Sequence, residues 1–206
     1  MYKYEAAEVT GGLSKTSKMP CPSYNLPAQE CKVGGKLAKI EGSVCANCYA
    51  LKGNYKRYEK TVAPALYGRL ASLENDLWVG AMTTLIRGQR YFRWHDSGDL
   101  QSVEHFDKIV QVAHNTPDTK HWLPTREKKI LQAYNKSIPD NLVIRLSAAM
   151  VGGQPPATKH NTSTVHRAID LVFYGHECPA YKQGGECGKC RACWDKTIDN
   201  VSYKEH

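Results

Sequence analysis

No apolar run in the 206 residues approaches the roughly 18 that a membrane-spanning helix needs, and residues 1–20 lack the apolar centre of a secretion signal. These absences predict a cytoplasmic protein with no membrane partner. Signatures of nucleotide and acyl chemistry are missing too: there is no P-loop, no GxGxxG and no GxSxG. Gly152-Gly153-Gln154-Pro155-Pro156 is a loop too rich in proline to cradle a phosphate. No repeat of fixed period and no low-complexity tract occurs. Phe is scarce at 3 against 12 Tyr, so much of the aromatic surface carries a hydroxyl. There is no long Lys/Arg run, although 28 basic against 20 acidic residues give a formal charge of +8. A basic balance suits a nucleic-acid partner. That count treats every cysteine as a neutral thiol, however, and two four-iron sites of about −2 each would remove about four of those charges.

Cysteine is absent from the whole middle of the chain. The eight cysteines fall into an N-terminal group (Cys21, Cys31, Cys45, Cys48) and a C-terminal group (Cys178, Cys187, Cys190, Cys193). Disulfides need an oxidising compartment, for which no export signal speaks. Zinc prefers four ligands in two CxxC pairs. The C-terminal group instead contains Cys187-Gly188-Lys189-Cys190-Arg191-Ala192-Cys193, a CxxCxxC run like the core of the bacterial ferredoxin pattern. A single ion is a point target for thiolates. A cuboidal cluster presents separate irons, so a short loop can place three sulfurs on three irons. The expectation is therefore an iron–sulfur cluster of the [4Fe-4S] type, one or two per chain, with zinc as the alternative metal. Cys178 would supply the fourth C-terminal ligand. At the N-terminus Cys31, Cys45 and Cys48 could hold three irons and leave the fourth open to a substrate or cofactor. If Cys21 also ligates, the site is closed and suits electron transfer or a structural role.

With 206 residues and 41% apolar content, one domain is expected over 1–206: a cysteine-rich segment 1–58, an α/β core 59–176 and a cysteine-rich segment 177–206. Pro20, Pro22, Pro27 and several glycines predict a loop-rich stretch over 10–58. Val62, Leu66, Leu70, Leu73 and Leu77, then Met82, Leu85 and Ile86, recur at helical spacing, with a break near Asn75-Asp76. Pro64 would fit in a first turn. Arg90–Trp94, Lys120–Leu123, Asn141–Leu146 and Ile169–Tyr174 read as strands. Ser102 would cap a helix burying Val103, Phe106, Ile109, Val110 and Ala113, and Ile130, Leu131 and Tyr134 mark another helix. Strands alternating with helices predict an α/β fold, a partial (β/α) barrel or an open, mostly parallel sheet.

In parallel α/β folds ligands bind at the carboxyl ends of strands. The first strand runs into His95, Asp96, Ser97, Gly98 and Asp99, the second into Thr125, Arg126 and Glu127, and the third carries Arg145 and Ser147. His95, Asp96, Ser97, Asp99, Arg126 and Arg145 are thus the catalytic candidates on one rim. The polar stretch His160–His166 reads as a loop whose two histidines are ligands, acid–base groups or plain loop residues.

Several segments are similar to the phage gene-product-eighty-eight domain family: Lys18-Met19-Pro20, Leu26-Pro27-Ala28, Cys45-Ala46-Asn47-Cys48-Tyr49-Ala50-Leu51-Lys52-Gly53-Asn54-Tyr55, Trp94-His95-Asp96-Ser97-Gly98-Asp99-Leu100, His121-Trp122-Leu123-Pro124-Thr125-Arg126-Glu127 and Cys187 to Trp194. This resemblance implies a phage-encoded protein, a host cytoplasmic location and an unknown host or phage protein as partner. The Cys-x-x-Cys-Tyr-Ala element and the strand-end Ser-Gly-Asp also resemble radical S-adenosylmethionine enzymes. By that resemblance Cys31, Cys45 and Cys48 would hold the cluster, and Ser97, Gly98 and Asp99 would bind S-adenosylmethionine. The usual CxxxCxxC spacing is not kept, because Glu41 stands four residues before Cys45. The readings that follow are an iron–sulfur protein with redox or S-adenosylmethionine-dependent chemistry, an electron carrier or binding module with closed clusters, and a zinc-bound nucleic-acid-binding protein.

Overall fold

The computed structural model describes the chain except residues 17, 168, 171–173 and 206, and the side chains of residues 53 and 54. Among the described residues, eight strands form one sheet: β1 (Ser14–Lys15), β2 (Pro22–Tyr24), β3 (Tyr91–Trp94), β4 (Lys120–Thr125), β5 (Leu142–Val151), β6 (Asn161–His166), β7 (His176–Glu177) and β8 (Asn200–Lys204). Their order is β1-β2-β3-β4-β5-β6-β8-β7, with β1 antiparallel to β2 and every other pairing parallel. The sheet does not close. The expected mixed, mostly parallel α/β architecture is present, but β1, β2 and β8 come from the cysteine-rich segments rather than from residues 59–176, and β7 straddles the boundary at residue 176.

Among the described residues, seven α-helices accompany the sheet: α1 (Lys3–Thr10), α2 (Lys32–Leu37), α3 (Gly53–Arg57), α4 (Glu59–Ser72), α5 (Trp78–Ile86), α6 (Val103–Asn115) and α7 (Lys128–Ala133). The apolar stripe from Val62 onward is split as its pattern predicts, α4 and α5 meeting at Leu73–Leu77. Pro64 lies inside α4, beyond the first turn, because α4 starts at Glu59. The Ser102 Oγ accepts the backbone N–H of His105 at 3.1 Å and caps α6.

Strand alternation gives the sheet two apolar faces. Phe92, Trp94, Leu123, Leu142, Ile144 and Leu146 join α5 and α6 in the main core, with Trp78, Phe106 and Ile109. Trp122 points the other way, into a smaller core with Cys21, Cys193, Trp194 and Val201.

Two sequence expectations need correction. Residues 161–166 are strand β6, not a loop. Their Thr and Ser side chains are buried because they bond each other's neighbours: Thr162 Oγ1 donates to Asn200 Oδ1 (2.8 Å) and Ser163 Oγ to Ser147 Oγ (3.0 Å). Polar side chains with buried partners conceal a strand from any hydropathy pattern. Of the strand expected over 169–174, residues 171–173 lie outside the described residues; Ile169, Asp170 and Tyr174 are described and none is in a strand, and Ile169 is highly exposed.

Candidate metal centre and rim

The segment leaving β2 crosses the carboxyl ends of β3, β4 and β5. It is held at β3 by Leu26 N–H donating to Ser97 O (3.0 Å) and Ser97 Oγ donating to Leu26 O (2.9 Å). Val33 N–H donates to Glu127 Oε1 (2.8 Å) beyond β4, and Val44 N–H to Ala149 O (2.9 Å) in β5. Gly98 has φ of +80°, and a methyl group there would fall 2.6 Å from Leu26 Cβ and 2.7 Å from its carbonyl oxygen. Only glycine allows this approach.

This path brings Cys31, Cys45 and Cys48 together above the rim. α2 contains Gly34 where a side chain would intrude: a methyl group there would stand 3.0 Å from Cys31 Cβ, 3.6 Å from Cys45 Sγ and 3.7 Å from Cys31 Sγ. Burial pushes the Cys31 thiol up to about 12, with Asp99, Cys48 and Cys45 adding and Arg126 opposing. Burial raises Cys45 too, against Arg126. The set is thus three thiols with one guanidinium, and the buried Nε of Arg126 has no hydrogen-bond partner among the described residues.

Cys21 is not in this set. It lies on the opposite face, buried with Cys193, Trp122 and Trp194, with Cys178 and Cys190 packed against the same cluster. Burial raises its thiol to about 12, with Arg93 opposing and Cys187 adding. The C-terminal set therefore holds five thiols. His176 Nε2 is 3.5 Å from Cys190 Sγ, and the Tyr203 hydroxyl is 3.2 Å from Cys193 Sγ. Among the described residues, no three His, Cys, Asp or Glu side chains meet closely enough to hold a single metal ion.

The rim candidates separate by their bonds. Asp99 is buried and already engaged: Oδ1 accepts Thr125 Oγ1 (2.6 Å) and Leu100 N–H (2.8 Å), and Oδ2 accepts Arg126 N–H (2.9 Å). Burial raises its pKa to about 6 despite these donors. Asp99 clamps the end of β3 to the end of β4, and Ser97 ties β3 to the loop. Asp96 accepts from Arg93 (Nη1–Oδ1, 2.8 Å), from Tyr55 (Oδ2, 3.2 Å) and, on its carbonyl, from Tyr49. His95 has φ of +55°, and both ring nitrogens are buried with no hydrogen-bond partner among the described residues. Burial and the Arg93 charge lower its pKa to about 3, so its ring is neutral. It packs edge-on to His105 (5.3 Å).

Arg145 does not sit at a strand end, because β5 runs on to Val151. It is fully buried on the face opposite the main core. Its guanidinium donates to the carbonyls of Ala192 (2.8 Å), Asp195 (2.8 Å), Ile198 (2.9 Å), Thr162 (3.2 Å) and Cys193 (3.2 Å). His166 of β6 is also buried, its Nδ1 2.8 Å from Ser202 Oγ. Two residues outside the catalytic and metal candidates belong to the site. Arg93 lies beside the five-thiol set, its charge opposing the effect of burial at Cys21, and packs against Trp122 (4.4 Å) and Asp96, and Tyr49 anchors the cysteine loop on the rim. Arg93 sits inside an alternating strand, where nothing in the pattern distinguishes it from an outward-facing cation.

Comparison with known proteins adds one family. Neither a curated protein nor a solved structure matches the chain, so the similarity to radical S-adenosylmethionine enzymes rests on its short motifs alone. The family described as Gene product 88 matches residues 3–196, which carry the rim, the three-thiol set and all five members of the other set. The chain belongs to the phage gene product 88 family.

Proposed function

We propose that the protein binds an iron–sulfur cluster of the four-iron type through Cys31, Cys45 and Cys48, and that redox or S-adenosylmethionine-dependent chemistry takes place on the rim beneath it. The observation that carries this reading is the division of the eight cysteines into three and five. With Cys21 on the far face, the loop offers three thiols, which suits a cluster with one open iron. Among the described residues no three such side chains meet closely enough for a single ion, whereas a cluster takes its ligands at a wider spacing. Four thiolates on one zinc at about 2.3 Å each must approach to about 3.8 Å of one another, whereas a cuboidal cluster spreads its ligands further apart. Gly34 keeps the space between Cys31 and Cys45 free.

A bound cluster would supply an electron and an open coordination position. The chain's own residues do the rest. Arg126 opposes the negative charge of the thiolates. Asp99 and Ser97 fix the ends of β3 and β4, and Asp99 holds the Arg126 backbone. With their polar groups engaged internally, Ser97, Gly98 and Asp99 would form the wall of an S-adenosylmethionine site, and the free Nε of Arg126 would be the nearest donor. The five-thiol set would close a second cluster or hold a structural metal.

The test is iron and sulfide analysis with an absorbance spectrum on protein purified without oxygen. We expect brown protein with broad absorbance at roughly 400 nm, a value typical of such clusters in general. Cys45→Ser should abolish the rim cluster, and Cys21→Ser should leave it intact. Addition of S-adenosylmethionine should then change the spectrum of the reduced Cys21→Ser protein. A reversible couple with no such change would favour a closed electron carrier. Colourless protein with stoichiometric zinc, and no uptake of iron and sulfide, would refute the reading.

A further inference from the structure

The charge of this protein is concentrated. Residues 31–60 hold seven cations (Lys32, Lys36, Lys39, Lys52, Lys56, Arg57, Lys60) against two carboxylates (Glu41, Glu59), a surplus of five in a chain whose total is +8. All seven are exposed, as are Lys128 and Lys129 at the start of α7. Among the described residues, no ion pair joins any of these nine to a carboxylate. The bonds at Ser97, Glu127 and Ala149 lay this segment across the carboxyl rim, so the surplus surrounds the three-thiol set.

Aromatic rings are interleaved with the cations. Tyr49, Tyr58 and Tyr67 are 51%, 54% and 42% exposed, well above what Tyr needs merely to wet its hydroxyl. Beside them runs a groove of about 240 Å³ between the cysteine loop and α4, lined by Leu51, Tyr55, Lys56, Glu59, Leu66 and Tyr67. Apolar and aromatic walls fit a flat base whose phosphate remains outside with the cation, while the Glu59 carboxylate can accept only from the amino groups of a base. Duplex nucleic acid offers no free base to such a groove.

We propose that the rim is a binding surface for single-stranded nucleic acid, with phosphates on the lysines of residues 31–60 and bases on Tyr58, Tyr67 and the groove. This rests on the proposed function only in taking the carboxyl rim as the working face. It names single-stranded nucleic acid as the substrate class presented to the cluster.

The experiment is fluorescence anisotropy with a labelled oligothymidylate of about 20 nucleotides, on cluster-loaded and metal-free protein in parallel. We expect binding at low salt, with the logarithm of affinity falling linearly against that of salt, at a slope of about −0.7 per phosphate contacted. The double variant Lys56→Glu/Lys60→Glu should weaken binding at least tenfold and flatten the slope. Tyr58→Ala should weaken it about tenfold and leave the slope unchanged. Lys120→Glu, at the amino end of β4, should change neither. Absence of binding at low salt overturns the proposal. So does an equal effect from Lys120→Glu, equal or tighter binding of a duplex, or an unaltered Tyr58→Ala protein. Oligonucleotide binding in protein that takes up no iron would leave this inference standing and remove the cluster. Iron uptake without oligonucleotide binding would do the reverse.

Discussion

Arg145→Met removes a buried cation that holds a carboxyl-terminal segment to the sheet. Among the described residues no carboxylate is ion-paired with the guanidinium; carbonyl oxygens surround it, and burial lowers its pKa, with Tyr203, Cys193, Asp195 and Asp199 opposing. Four of these acceptors, Ala192, Cys193, Asp195 and Ile198, lie in the segment carrying Cys193 and Trp194. Methionine matches the length and loses every donor. Each orphaned buried acceptor costs about 1–3 kcal/mol, while the desolvation of the guanidinium is returned. Breaking a buried charged network by removing one partner costs about 3–5 kcal/mol in net terms. We therefore expect a loss of about 4 kcal/mol from a total of about 5–15 kcal/mol. With a urea slope of about 2–3 kcal/mol/M, the midpoint falls by between about 1 and 2 M. Arg145→Lys keeps the charge and three donors and should lose about half as much. Equilibrium urea unfolding measures both. A loss below about 1 kcal/mol for the Met variant, or equal losses for Met and Lys, would refute the reasoning.

Two further outcomes follow from buried groups and from the loop. His95 and His121 are lowered to about 3 by burial, and His105 is lowered well below its ordinary value. Below pH 6.5 the unfolded chain therefore takes up three protons that the fold refuses, so stability rises with pH there. Asp99, raised to about 6, opposes with one. The net two protons give a fall of about 2.7 kcal/mol per pH unit between about pH 6 and 4.5; a flat profile of urea midpoints would contradict it. Gly98→Ala should cost about 2 kcal/mol or more, from φ of +80° and the clash with Leu26. Gly35→Ala, with open space around it, should be neutral or slightly stabilising in the same thermal melts.

The sequence made some elements plain and concealed others. The helix over Val103–Asn115 follows from a strong apolar stripe and a serine cap, and β3, β4 and β5 follow from alternating or continuous apolar runs. Their turns at His95–Asp99 and Thr125–Glu127 were legible because polar residues follow each strand directly. β2, β7 and β8 are short and partly polar, and only pairing with neighbours makes them strands. Arg145 was misplaced for a related reason: β5 continues through Ser147 and Met150, where polar or exposed side chains look like a strand's end. The grouping of Cys21 was out of reach of spacing. Its near neighbours in sequence are on the rim, but β2 turns it to the other face before the loop begins.

That turn has a consequence for how the protein is made. Cys31, Cys45 and Cys48 leave the ribosome close together, and their loop needs only β3, β4 and β5 to settle on. Cys21 emerges even earlier, but its partners, Cys178 to Cys193, follow only after β3 to β6 have been made, so it waits as an unpaired thiol while the core is translated. Long closures of this kind form late, because their ordering cost comes before any contact repays it. The three-thiol set can come together before β6 is made; the five-thiol set is finished only after it. If both sets hold iron as proposed, iron delivered early and iron delivered late would thus reach the rim and the far face of the same sheet.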